Sequence, residues 1–199
     1  IAHARVDMQA IGCDFYAFSG HKLYAPMGIG VLYGKSEWLA KLPPWQGGGH
    51  MIRDVTFART EYDAPPCKYE AGTPNVEGAV GLAAALDYVE RIGLAAIGAH
   101  EAALLDYATA RAGEIDGLRV IGTAREKGAI LSFVMEGFTA QEVGTVLDRH
   151  GVAVRSGHHC ALPAMRRFGI EGTARASFAL YNDREDVDQM VGALQALRR

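Results

Sequence analysis

Ser19-Gly20-His21-Lys22 brings a hydroxyl, an imidazole and a primary amine together directly after a short aromatic run, Asp14-Phe15-Tyr16-Ala17-Phe18. Strand ends and the turns after them are favoured ligand sites in α/β folds. An amine placed there can form a Schiff base with a carbonyl, helped by partial burial, while the hydroxyl and ring can hydrogen-bond a phosphate. The same residues also read as an ordinary exposed turn. A second cluster, Arg155-Ser156-Gly157-His158-His159-Cys160, lies in a glycine-bearing loop just before Pro163. A cysteine near a protonated histidine or a helix N-terminus is favoured as thiolate, the nucleophilic form. The rival readings are a structural thiol and a His-His-Cys metal site. Adjacent positions rarely all ligate one ion and no further ligand has suitable spacing, so zinc is disfavoured.

Two more residues carry charge or polarity in telling places. Arg175, within Thr173-Ala174-Arg175-Ala176-Ser177-Phe178, sits among small and apolar neighbours. Its planar fork suits a carboxylate, either of a ligand or of an acid in 183–188. Thr73 precedes Pro74 where a helix begins, so it either faces an anion at the helix N-terminus or caps the helix. Cys13 and Cys67 lack polar company of this kind and read as core or loop thiols.

These residues need a scaffold. Strands are predicted over 14–19 and 29–34, followed by a short helix over 36–42 that stops before Pro43-Pro44. Residues 43–75 read as one long irregular stretch with interleaved aromatics, of the kind that carries function. Helical periodicity then predicts helices over 76–91 and 94–113, with Leu82, Leu86 and Val89 on one stripe. Strands follow at 118–121 and 129–135. A helix over 138–150 opens on Thr139 and Glu142, the capping-box spacing. A strand at 152–155, a short helix at 163–168, a strand at 173–180 and a helix capped by Asp183 complete the chain. The second part reads as α+β or α/β.

With 199 residues, 49% apolar and 22% charged, the chain can bury a sizeable core. A net charge of -3 supplies no global basic field for nucleic acid or an anionic membrane. The apolar runs are short of a membrane span. Three widely separated cysteines are not a disulfide framework and read as free thiols of a reducing cytoplasm.

CDFYAFSGHKLYAPMGIGVLY, PPWQGGGHMI, YEAGTPN, RSGHHCALP and RASFALYN occur in one order and spacing. Together they resemble the group II cysteine desulfurases (SufS/CsdA-like), pyridoxal-phosphate enzymes of aminotransferase fold type I. The resemblance implies an α/β fold comprising the end of the large cofactor-binding domain, residues 1–80, and linking helices with a small α+β C-terminal domain, residues 81–199. It implies that Lys22 is the Schiff-base lysine, that Ser19 and His21 hold the phosphate of pyridoxal 5'-phosphate, and that Thr73 reaches the cofactor phosphate of the other subunit of a homodimer. Cys160 then takes sulfur from L-cysteine as a persulfide, leaving alanine. Arg175 grips the substrate carboxylate and Arg155 is a second active-site arginine. The sulfur would pass to an acceptor protein, for iron-sulfur cluster assembly or other sulfur transfer.

Two departures accompany the resemblance. Ala25 and Met27 stand where the family often has Gly and Thr. The aspartate that pairs with the cofactor ring nitrogen, a nearby glutamine and the ring-stacking histidine belong upstream of Ile1 in the family. The chain is therefore expected to be the C-terminal half of the enzyme, incomplete without the N-terminal half. A selenocysteine lyase of the same fold, and a non-catalytic module for dimerisation or acceptor docking, are the alternatives.

Overall fold

The computed structural model describes residues 1–197, which form two compact units, Ile1–Leu94 and the residues from Ala95 onward. No helix among these residues is long and apolar enough to cross a membrane.

The first unit opens on a single helical turn, α1 (Met8–Ile11), whose first amides are capped by the Asp7 carboxylate. Two five-residue strands follow, β1 (Phe15–Ser19) and β2 (Gly30–Gly34), paired antiparallel with Phe15 opposite Gly34 and Ser19 opposite Gly30. The predicted helix forms as α2 (Ser36–Lys41), and its sequence allows no further turn because Pro43-Pro44 cannot supply amides. Between β1 and β2 the chain makes one 3-10 turn, Gly20–Leu23. A Cβ at Gly20 would stand 2.7 Å from a methyl of Ile29, so only glycine lets this turn pack against the start of β2.

The stretch 43–75 is more ordered than its composition suggests. It contains an antiparallel hairpin, β3 (Ile52–Val55) and β4 (Thr60–Tyr62), closed where Arg59 N–H donates to the Thr56 hydroxyl at 3.0 Å. The segment is clipped at both ends. Gly72 N–H donates to the Gly49 carbonyl at 2.8 Å. Tyr69 Oη donates to the carbonyls of Leu39 (2.6 Å) and Leu42 (2.9 Å), and Lys68 Nζ donates to that of Ala40 (3.1 Å). These are the unpaired carbonyls at the end of α2.

Helix α3 (Val76–Ile92) is capped by Asn75, whose side chain accepts from Gly78 N–H at 2.9 Å and donates to the Gly28 carbonyl at 3.1 Å. Asn75, not Thr73, is therefore the cap. The buried stripe is Gly78, Leu82, Ala85 and Val89; Leu86 faces outward at 38% exposure.

The second unit packs three of its helices on one face of a four-stranded antiparallel sheet and a short fourth helix against the other. Its elements are α4 (Leu94–Ala112), β5 (Leu118–Ile121), β6 (Ile130–Met135), α5 (Ala140–Arg149), β7 (Arg155–Gly157), α6 (Leu162–Phe168), β8 (Thr173–Ser177) and α7 (Arg184–Gln195). The strand order is β5-β6-β8-β7. The predicted capping box of Thr139 with Glu142 forms, and the Asp183 cap is completed by Asp186 as a second box. Alternation along β6 sends Leu131 and Phe133 into the core opposite Ala176 and Ala174 of β8, against Val143, Leu147, Val187, Met190, Val191 and Leu194. Burying Phe133 contributes roughly 1.5–3 kcal/mol.

The strand predicted at 152–155 begins only at Arg155. Val152 N–H instead donates to the Leu147 carbonyl at 2.9 Å and closes the end of α5. Strand β8 ends at Ser177 rather than running to 180, because Asn182 turns the chain by accepting from Ala179 N–H at 3.0 Å.

Candidate functional site

In the first unit, β1 delivers the chain at Ser19 directly into the 3-10 turn. His21 and Lys22 are exposed on that turn. The expected partial burial of Lys22 is therefore not seen within this chain. The Ser19 hydroxyl does not cap its own turn and is left for another partner. A primary amine, a hydroxyl and an imidazole on one rigid turn suit a phosphate ester that also carries a carbonyl. Thr73 is exposed, two residues before the cap that ties α3 to Gly28.

In the second unit, the register places Ser132, Arg175 and Arg155 in one row across β6, β8 and β7. This row lies on the sheet face opposite Ala174 and Ala176, away from the helical core. Helix α6 supplies Met165 and Phe168 to a cavity of about 260 Å³ on this side, also lined by Ser132, His159, Thr173 and Arg175. Arg175 Nε is buried there without a hydrogen-bond partner among the described residues. The residue as a whole is only half-buried, but a buried N–H without an acceptor is costly and would gain from a ligand oxygen that reaches it. Three of the four acids considered as rivals are occupied elsewhere: Asp183 and Asp186 in the cap of α7, and Asp188 with Arg111 and Tyr107. A larger groove, about 820 Å³ beside α4, contains none of the candidate residues.

Cys160 is exposed at the tip of the loop between β7 and α6. Its sulfur lies 3.8 Å from Arg155 Nη2. The cation beside the thiol is thus Arg155, whereas the sequence pointed to a protonated histidine. His158 Nδ1 accepts the Cys160 N–H at 3.0 Å, so that nitrogen carries no proton in this geometry. His159 turns away to Thr173, its Nε2 lying 3.1 Å from the carbonyl and 2.8 Å from the hydroxyl. A carbonyl only accepts, so Nε2 carries the proton and Nδ1 is a bare lone pair. Burial first, then the positive charge of Arg175, holds the His159 pKa below its ordinary value, with Arg155 and His158 adding to the effect. The Thr173 backbone bond opposes it.

The backbone here is strained. His159 and Cys160 have φ of 54° and 58°, and Ala161 N–H closes the turn onto the His158 carbonyl at 2.8 Å. Positive φ at both central residues is the mark of a type I′ turn, which ordinarily takes glycine or asparagine. Thr173, 1% exposed, did not stand out as a site residue in the sequence. Its signal was a hydroxyl at the start of an otherwise small and apolar strand.

Known proteins resemble this chain in sequence and fold. The family model for aminotransferase class-V matches residues 1–190. A probable cysteine desulfurase of Mycolicibacterium paratuberculosis is 55% identical over 199 residues, covering 100% of this chain and 29% of that protein. The cysteine desulfurase of Dickeya dadantii is 50% identical over 200 residues, covering 100% of this chain and 48% of that one. The crystal structure of the cysteine desulfurase CsdA from Escherichia coli superposes with a TM-score of 0.91 at 41% identity, over 97% of this chain and 48% of that one. The chain thus spans between about a third and about a half of the length of these relatives. With the family model matching residues 1–190 and relatives similar to this chain over nearly its full length, the chain belongs to the aminotransferase class-V family.

Proposed function

We propose that this chain is the C-terminal half of a pyridoxal-phosphate-dependent cysteine desulfurase. The observation that carries the reading is the cysteine loop: an exposed thiol 3.8 Å from Arg155, which itself stands opposite Arg175. Two guanidinium groups beside a nucleophile form a grip for a small amino acid whose sulfur must meet Cys160.

The residues of the first unit suit the cofactor. Lys22 is the group to which it attaches, and the Ser19 hydroxyl and His21 ring are the donors for its phosphate. Pyridoxal phosphate, when bound, supplies the electron sink that makes the substrate carbon–sulfur bond breakable. Arg175 and Arg155 hold the substrate carboxylate and orient its side chain toward the loop. Lys22, once its amine is free, takes and returns a proton at the substrate α-carbon. Cys160 Sγ attacks the substrate sulfur: a sulfur–sulfur bond forms, the carbon–sulfur bond breaks, and the electron pair returns to carbon as the new C–H bond of alanine. Cysteine and thiol thereby become alanine and a persulfide on Cys160, with no outside oxidant.

We assign residues 1–80 to the large cofactor-binding domain and 81–199 to the linking helices and small domain. Exposed Thr73 supports a homodimer in which each copy completes the other's phosphate site. The exposed position of Cys160 supports delivery of sulfur to an acceptor protein, as iron-sulfur cluster assembly requires. Three unpaired thiols support a reducing, cytoplasmic location. The test supplies pyridoxal phosphate and L-cysteine to the chain together with the N-terminal half and follows alanine together with the mass of Cys160. One added sulfur and stoichiometric alanine, with both lost in Cys160→Ala, are expected. Persulfide-independent alanine release in Cys160→Ala would overturn the reading.

A further inference from the structure

Two histidines precede Cys160, and neither points at its sulfur. We propose that His159 is a positioning residue: its imidazole, locked onto Thr173, holds the left-handed turn that presents Cys160 beside Arg155. The proposal rests on the desulfurase reading for its catalytic consequence and on the loop geometry for its structural one.

The turn needs such a lock. Non-glycine residues in the left-handed region are disfavoured, and two in succession are held only when their surroundings over-determine them. His159 and Cys160 are two in succession, with φ of 54° and 58°. The surroundings do determine them. Below the turn, Thr173 is 1% exposed at the start of β8, paired with Gly157 of β7, so it is fixed to the sheet. His159 Nε2 reaches both its hydroxyl and its carbonyl. Above the turn, His158 Nδ1 accepts the Cys160 amide, which closes the other side. The two imidazoles thus bracket the thiol from its backbone, and Arg155 is the side chain left beside the sulfur.

A rival reading makes His159 a proton donor or acceptor for sulfur. The geometry argues against it, because the proton-bearing Nε2 is spent on Thr173 and the cationic neighbours Arg175 and Arg155 disfavour a second proton on the ring. A positioning group and a titrating group respond differently to replacement by asparagine. Asparagine tolerates positive φ and keeps an N–H donor for the Thr173 carbonyl, but it has no proton to exchange near neutrality.

The test uses the cofactor-loaded protein with its N-terminal half present and three variants: His159→Ala, His159→Asn and Thr173→Val. Single-turnover persulfide formation on Cys160 should fall on the order of 10- to 100-fold in His159→Ala, as expected for a nucleophile misplaced by about 1 Å. KM for cysteine should change much less. His159→Asn should recover most of the rate with the pH profile unchanged in shape. Thr173→Val, which keeps the carbonyl, should fall between the two. Equal losses in His159→Ala and His159→Asn, with a limb of the pH profile gone, would overturn the proposal in favour of a titrating role. An unchanged rate in His159→Ala would overturn it outright. If His159→Ala fails to fold, the asparagine and valine variants decide. Iodoacetamide modification of Cys160 in the cofactor-free protein gives a readout independent of desulfuration. It should slow in His159→Ala and return in His159→Asn. That result, with no persulfide in the unaltered protein, would retain the lock and reject the desulfurase reading.

Discussion

Arg155 and Arg175 stand directly opposite each other across the β7–β8 ladder, two guanidinium groups on one face of antiparallel strands. Like charges in facing positions destabilise a sheet. Their joint effect is felt at His159, whose pKa both push down. Under the proposed function, the carboxylate of the substrate would offset this cost.

Removing one member should separate function from stability. Arg175→Ala should lower kcat/KM for cysteine by about 10- to 100-fold, the loss of one or two charge-assisted bonds of roughly 1.5–3 kcal/mol. The urea midpoint of Arg155→Ala should hold or rise while its kcat/KM falls. A drop in the midpoint equal to that of a core variant would show that the pair is structural.

Lys22→Ala should abolish borohydride-trappable attachment of pyridoxal phosphate, read as a mass increase on the Lys22 peptide. Ser19→Ala should leave attachment possible and weaken cofactor retention, read by dialysis. Covalent trapping that persists without Lys22 would disprove the lysine assignment.

Asn75 carries two bonds that tie α3 to the turn ahead of β2. Asn75→Ala should cost about 0.5–2 kcal/mol for the lost cap, measured as a lower urea midpoint. Thr73→Ala, which removes no cap, should leave that midpoint within about 0.5 kcal/mol.

Stability should also fall on mild acidification. The His159 ring is neutral in the folded turn and its pKa is depressed. The unfolded chain therefore binds more protons below about pH 6.5, and stability rises with pH through the window between the depressed value and the ordinary one. Urea unfolding from pH 7.5 down through pH 6 should show this slope, and His159→Asn should flatten it.

Much of this arrangement was legible in the residues. Thr139 with Glu142 declares one helix start by spacing and Asp183 another as a cap, and both form, the second with Asp186 as its unforeseen partner. Val187, Met190, Val191 and Leu194 declare a buried stripe by periodicity. Long-range partners are different. Nothing near Tyr69 in sequence says that it closes the end of α2, 27 residues away at Leu42. The β3–β4 hairpin was hidden because its turn, Thr56–Arg59, has neither glycine nor proline and closes through the threonine hydroxyl. Arg175 was legible as a lone cation among small residues. Its facing partner depended on a register that begins three residues later than alternation suggested, since Val152 is spent on the end of α5.

The clip between Gly49 and Gly72 has a consequence for how such a chain can vary. Because the two ends of the lobe are joined to each other and Tyr69 anchors the return, residues added at the Phe57 tip lengthen a closed loop whose mouth stays put. Loop-closure cost grows only slowly with length, about 0.6 kcal/mol per doubling. The tip is thus the place where this scaffold can change its reach while the lysine turn on one side and α3 on the other keep their registration.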